Sequence, residues 1–331
     1  MVSADRALYT GVFMKKMILS ALVILSVVLL SAQVFAGTKK VLLISDIDDT
    51  IKVTHVIAAN KSDVLSRTID LKAFAGMSQL YQMIINENIN STKVAYLSNA
   101  PKEILDFPIL KLLPDLLEDQ IPDAIRRAPI MQMAHELFLR KNKFPQGLVL
   151  LRLDYEDQNH KINSIRRLIK EDRPDLVIMV GDNGERDIEI YAQAALELNA
   201  AGIKNQTYIH QAYATQSLLN DLIPDFVPSV MKKVLPIELG KKIEKNQLGY
   251  VTPLEIAFDL KTKNLMSPSS LNWLNQVIVP YILNEKKYSE SNLPEMTFPS
   301  FMNCSEHKFD DSVNIKSEIG RIVYLVNSKC R

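Results

Sequence analysis

The stretch Val41-Leu42-Leu43-Ile44-Ser45-Asp46-Ile47-Asp48-Asp49-Thr50 decides the fold. Its first four residues make a short, continuous apolar run with a β-branched residue at each end, the pattern of a strand buried on both faces. A strand that dry should not finish in three carboxylates unless something cationic sits there. Asp46 and Asp48, two positions apart, share one side of an extended chain. At the carboxyl end of a strand in a parallel α/β sheet they face the crevice where ligands bind. The competing reading is an ordinary strand-to-loop turn, where Asp is common. A calcium loop of the EF-hand type is excluded: counting from Asp46, the glycine position holds Ile51 and the bidentate glutamate position holds Ile57.

A second acidic cluster repeats the arrangement. The apolar run Leu176-Val177-Ile178-Met179-Val180 leads into Gly181-Asp182-Asn183-Gly184-Glu185-Arg186-Asp187. Ile188, Tyr191, Ala195 and Leu198 then follow at helical spacing, so a helix returns along the sheet. In a doubly wound sheet, two such loops on neighbouring strands converge. Their carboxylates make a hard, all-oxygen site suited to Mg²⁺.

Two further elements fit the same crevice. Val94-Ala95-Tyr96-Leu97 reads as a strand ending in Ser98-Asn99, with Pro101 placed for the first turn of a following helix. A hydroxyl and backbone N–H groups at a helix start form an anion site. Lys161 begins a helix marked by Ile162, Ile165, Leu168 and Ile169, and could reach the crevice to neutralise a phosphate. Surface lysines at helix starts are also common without any such role.

The ordered series Asp46-x-Asp48-x-Thr50, Ser98, Lys161 and Gly181-Asp182 through Asp187 resembles the four motifs of the haloacid dehalogenase superfamily of phosphohydrolases. The resemblance extends further. The stretch from Ser45 to Thr54, Phe74-Ala75-Gly76-Met77, Tyr96-Leu97-Ser98, Phe144-Pro145-Gln146-Gly147 with Leu151-Arg152, and the run Asp187-Ile188-Glu189-Ile190-Tyr191 are similar to the catalytic domain of the actin-patch-associated phosphatidate phosphatase family. The similarity covers residues 40–212. The chain departs from that family at Asn183, where Ser is usual, at Asn99-Ala100 in place of Ser-Pro, and at His210 near a usual Arg. The segment 106–135 is also longer.

The resemblance implies an α/β fold: a doubly wound parallel sheet with a small flap or cap and a mainly helical C-terminal extension. It also implies phosphoryl transfer with Mg²⁺ as cofactor. Asp46 would be the nucleophile and Asp48 the general acid and base. The metal would be held by Asp46, the Asp48 backbone carbonyl and Asp182, with Asp187 binding it or orienting its waters. Thr50 would support the loop, and Ser98, Asn99 and Lys161 would hold the phosphate. Asp49 receives no catalytic step and is expected to be solvated or to stand behind the ligands. Three functions follow: an exported phosphatase acting on phosphatidate or a related lipid phosphate, a phosphatase for a soluble phosphomonoester, or a non-catalytic phosphate- or metal-binding relative. Basic residues that a lipid head group needs are present at Lys52, Lys102 and Arg152 but decide nothing.

The N-terminus carries an address. Lys15 and Lys16 precede a 14-residue apolar core from Met17 to Leu30, and Ser31 to Ala36 offers small residues for cleavage before Gly37. This is the layout of a signal peptide over residues 1–36, with Met14 the expected start, and it implies a secreted or periplasmic protein. The alternative is an uncleaved N-terminal membrane anchor, since Met17–Ala36 spans 20 residues. Without residues 1–36 the chain has 36 basic and 37 acidic residues, a net −1 that argues against a general nucleic-acid binder and leaves peripheral membrane contact open. Nothing here sets an oligomeric state.

Cys304 and Cys330 are the two cysteines, and in an oxidising compartment such a pair most often forms a disulfide. Two reduced thiols are the alternative. The remaining organisation is a phosphatase domain over 37–212, with a flap over 53–73 and a helical insertion over 103–143. That insertion is either a cap or sheet-flanking structure. A mainly helical extension follows over 213–331, in which Thr252-Pro253-Leu254-Glu255 is a capping box and Leu271, Leu274, Val277, Ile278, Tyr281 and Ile282 form an apolar stripe.

Overall fold

Val41 and Leu43 point to one face of the sheet, Leu42 and Ile44 to the other, and each face is covered by its own apolar cluster. That is why the run has no polar alternation: a strand with helices on both sides must be apolar at every position. The computed structural model describes residues 39–57, 71–87, 91–102, 129–153, 157–215, 240–283, 295–296, 302, 324 and 326–327. In chain order the elements are β1 (Val41–Asp46), β2 (Ala73–Phe74), α1 (Met77–Glu87), β3 (Thr92–Pro101), α2 (Ile130–Lys141), β4 (Leu148–Arg152), α3 (His160–Asp172), β5 (Leu176–Asp182), α4 (Asp187–Ala200), β6 (Lys204–His210), β7 (Leu248–Tyr250), α5 (Pro253–Thr262), α6 (Pro268–Leu283) and β8 (Glu295–Met296).

Six strands form one parallel sheet in the order β4-β3-β1-β5-β6-β7. The chain winds outward from β1 through β3 to β4, then crosses to β5 on the other side of β1. The doubly wound parallel sheet expected from the sequence is therefore observed. Its switch point lies between β1 and β5, and at such a point the loops leaving the two strands part to leave a crevice. Asp46 ends β1 and Asp182 ends β5, so both acidic loops open at the same edge.

On one face α3 and α4 pack through Ile162, Ile165, Leu168, Ile188, Tyr191 and Leu198. On the other, α1, α2, α5 and α6 share a core that includes Leu80, Phe138, Leu254 and Ile278. The C-terminal helices thus complete the hydrophobic cover of the sheet. Leu271, Leu274 and Ile278 of the predicted stripe are buried there, as core. Glu255 caps α5, its Oε2 accepting from the backbone N–H groups of Val251 at 2.9 Å and Thr252 at 2.7 Å. Among the described residues no helix is long and apolar enough to cross a membrane.

One expectation is corrected. Pro101 does not open a helix; it is the last residue of β3 and pairs with Arg152 of β4. The strand continues through Ser98 and Asn99 because the edge partner β4 carries the pairing on, across a register shift between Ser98 and Pro101. The two feet of the expected flap are joined, since Val53 N–H donates to Lys72 O at 3.0 Å and Phe74 N–H to Ile51 O at 3.0 Å. The leader, the body of the flap, residues 103–128 of the insertion, and Cys304 with Cys330 lie outside the described residues.

Candidate active site

Asp46 is the last residue of β1 and its side chain is buried at the strand end, 2 % exposed. The loop then turns back on itself, with Ile51 and Lys52 N–H both donating to Ile47 O at 3.0 and 2.9 Å. That return brings Thr50 over Asp46, and the Thr50 hydroxyl donates to Asp46 Oδ2 at 3.0 Å. Asp49 sits at φ +54°, a left-handed conformation that Asp tolerates better than most residues. Contrary to the solvated alternative, Asp49 is buried and its carboxylate is saturated. It accepts from the N–H groups of Thr54 (2.9 Å), His55 (2.6 Å) and Val56 (2.6 Å), and from the hydroxyls of Thr54 and Tyr213. Its role is to fasten the loop that carries Asp46 and Asp48.

The second loop closes tightly for a matching reason. Gly184 N–H donates to Asp182 Oδ1 at 2.5 Å, fixing the carboxylate at the end of β5. Asp187 begins α4, where the positive end of the helix dipole favours a carboxylate. A Cβ on Gly181 would lie 2.5 Å from Asp187 Oδ2, so only glycine lets Asp187 reach the strand end. Asn183, where the related family usually has Ser, spans two backbone groups of Tyr213. Its Nδ2 donates to the Tyr213 carbonyl at 2.6 Å and its Oδ1 accepts from the Tyr213 N–H at 3.0 Å. A serine hydroxyl is too short to do both.

Asp46, Asp182 and Asp187 converge, with one carboxylate oxygen from each within 4.8 Å of the others. Lys161, the second residue of α3, is fully buried among them. Its ammonium donates to Asp46 Oδ1 at 2.6 Å and to Asp187 Oδ1 at 2.5 Å. Burial pushes the Asp46 carboxyl well above the usual carboxylate range, against the pull of Lys161. Burial does the same to Asp182, with Asp187 and Asp46 adding repulsion. Burial also pulls Lys161 down, yet Asp187 and Asp46 together hold it well above its ordinary value, so it stays charged. When the three carboxylates ionise around one ammonium, two negative charges remain uncompensated in a dry site. Asp182 Oδ2, buried there, has no hydrogen-bond partner among the described residues. An all-oxygen donor set with that charge deficit and an unsatisfied carboxylate oxygen fits a divalent, hard cation.

Asp48 stands at the rim, half-buried, and accepts a hydrogen bond from Ser98 Oγ at 3.2 Å. Ser98 is buried and itself accepts from Ala100 N–H at 3.1 Å. The Asn99 side chain is committed to Glu185, donating to its Oε2 at 2.8 Å, while the Asn99 carbonyl accepts from Arg152. Glu185 was not picked out in the sequence, yet its carboxyl faces the site and burial raises its pKa against the pull of Lys161. Lys52 is fully buried with its ammonium 5.6 Å from the centre of the Phe138 ring, so it does not sit at the surface as a head-group lysine would. Lys102 N–H donates to Arg152 O at 2.8 Å. His160 opens α3 and its Nε2 lies 3.2 Å from Leu150 O, a tie between helix and strand. His135, which no sequence motif singles out, is fully buried beside Asp48.

Residues 41–122 and 128–203 match the family described as phosphatidate phosphatase APP1, catalytic domain. Over those residues the chain is similar to the catalytic domain of that family. The phosphatidate phosphatase match spans both acidic loops, Ser98 and Lys161, and it upholds the resemblance read from the sequence. The domain is therefore that of a phosphoric monoester hydrolase, on a fold consistent with the haloacid dehalogenase superfamily. No curated protein matches the chain.

Proposed function

We propose that this chain is an exported Mg²⁺-dependent phosphatase that hydrolyses phosphatidate or a related lipid phosphate through an aspartyl-phosphate on Asp46. The observation that carries the reading is the meeting of Asp46, Asp182 and Asp187 around Lys161 in a buried pocket at the switch point of the sheet. Asp46, Asp182 and Asp187, with the backbone carbonyl of Asp48, would hold the ion. Bound Mg²⁺ would offset the charge of the phosphate and of the attacking carboxylate.

Thr50 fixes Asp46 Oδ2 and Lys161 fixes Oδ1, so the carboxylate cannot rotate away from an incoming phosphorus. Asp46 attacks and the P–O bond to the leaving group breaks. Asp48 gives its proton to the departing alkoxide and then takes one from the water that hydrolyses the acyl phosphate. An ammonium has three N–H donors. Two of those on Lys161 go to Asp46 and Asp187, which leaves the third for a phosphate oxygen beside Ser98. Export is supported by Lys15, Lys16 and the apolar run that follows them.

The test is phosphate release from phosphatidate in mixed micelles against a panel of soluble phosphomonoesters, each with Mg²⁺ or a chelator. Preference for phosphatidate and loss with chelator support the proposal. Equal or faster turnover of the soluble panel removes the lipid substrate, and undiminished turnover in chelator removes the metal.

A further inference from the structure

His135 occupies an apolar position. On α2 it belongs to the inward stripe Met131, His135, Phe138 and Leu139, which the helix's C-cap Asn142 continues, all nearly or fully buried. A core histidine is ordinarily satisfied by hydrogen bonds. This one is not: neither Nδ1 nor Nε2 has a hydrogen-bond partner among the described residues. Leaving both ring nitrogens dry is a standing cost that a leucine at the same position would not incur. Unpaired buried polar groups of this kind are kept where function needs them.

The ring faces one group in particular. His135 Nε2 lies 3.8 Å from Asp48 Oδ2, the same oxygen that accepts from Ser98 Oγ at 3.2 Å. Two groups from two elements, His135 Nε2 of α2 and Ser98 Oγ of β3, therefore flank one oxygen of the carboxyl. A separation of 3.8 Å is longer than a hydrogen bond, and catalytic hydrogen bonds commonly tighten only as substrate is bound.

We infer that His135 is a positioning residue for Asp48: its Nε2–H, with Ser98 Oγ, clamps Asp48 Oδ2 so that Oδ1 delivers the proton to the leaving alkoxide. The inference rests on the proposed phosphatase function, and specifically on Asp48 as the proton donor. It has a signature that a merely structural histidine lacks. A group that acts through the general acid matters when the leaving group needs a proton and hardly at all when it does not.

The experiment compares wild type with His135→Leu, His135→Asn and His135→Gln on phosphatidate, whose diacylglycerol leaves as an alkoxide, and on 4-nitrophenyl phosphate, whose phenolate leaves without help. Glutamine can place an amide N–H near the position of Nε2; asparagine and leucine cannot. For Leu and Asn, kcat on phosphatidate should fall by about 10- to 100-fold with KM little changed, since general acids contribute on that order or more. On 4-nitrophenyl phosphate the loss should stay within about threefold, and Gln should restore most of the phosphatidate rate. The Leu variant should melt at or above the wild-type temperature. If Leu does not fold, the Asn–Gln pair alone decides the question. An equal loss on both esters, or no loss on either, overturns the role of His135 and leaves the phosphatase intact. A wild-type protein that releases phosphate from neither ester overturns the proposed function, and this inference falls with it.

Discussion

Lys161 Nζ lies 2.6 Å from Asp46 Oδ1, and both side chains are all but sealed from solvent. The pair joins the start of α3 to the end of β1 across 115 residues of sequence. A buried ammonium between two carboxylates is worth little as a net stabiliser, because desolvating the charges consumes most of the attraction. Removing one partner is another matter, since it strands the others.

Lys161→Met should therefore destabilise the fold by about 3–5 kcal/mol, the cost of leaving buried charge uncompensated. Urea denaturation measures it. Mg²⁺ should recover more stability in the variant than in wild type, because the variant pocket holds one more uncompensated negative charge. A variant as stable as wild type in chelator would mean that the Lys161 ammonium does not pair with Asp46 and Asp187.

His135 gives stability a pH dependence of definite sign. Its pKa falls from 6.5 to about 4 on folding, so between those values the unfolded chain binds the extra proton. Stability is complete above pH 6.5 and is lost as pH drops through the window, by about 3 kcal/mol once pH is below 4. Buried His210 adds to the same slope, because burial lowers its pKa too. Asp46, Asp182 and Glu185 act oppositely, so the term is isolated by difference: His135→Leu should gain in melting temperature relative to wild type as pH falls from 6.5 to 4. A constant difference across that range contradicts a neutral buried imidazole.

Asp49 is predicted to be structural, not chemical. In Asp49→Asn an amide N–H₂ must face the Val56 N–H, where a carboxylate oxygen now accepts at 2.6 Å. The expected cost is about 1–3 kcal/mol. Tyr213→Phe should cost about 1–2 kcal/mol, and the two should be non-additive in a double-mutant cycle because they share one hydrogen bond. Additive losses would break the link between this loop and residues 211–215.

Much of this was legible in the residues. Val41–Asp46 and Leu176–Asp182 were readable because a buried parallel strand needs an unbroken apolar run, and each run ends where its carboxylate is needed. Lys161 could be placed because its helix begins between two recognisable strands. The three-residue strand β7 and the two-residue strands β2 and β8 were not foreseen, since so short a strand is fixed by its neighbours and not by its own pattern. Ser98 and Asn99 remain in β3 because β4 continues alongside, a tertiary fact that the Ser-Asn-Ala-Pro run does not carry. The burial of Lys52 and His135 was hidden for the same reason: a polar side chain inside the core leaves no local signature. Only the position of His135 within the stripe Met131, Phe138, Leu139 and Asn142 could have hinted at it.

The central claim is that Asp46 carries the phosphoryl group within a site that Asp182 and Asp187 complete. Phosphate release from phosphatidate micelles by wild type and Asp46→Asn, matched in protein and Mg²⁺, tests it directly. The account predicts that Asp46→Asn folds and loses at least about 10³-fold in rate, as befits removal of a nucleophile. An Asp46→Asn protein that retains a substantial part of the wild-type rate would contradict it.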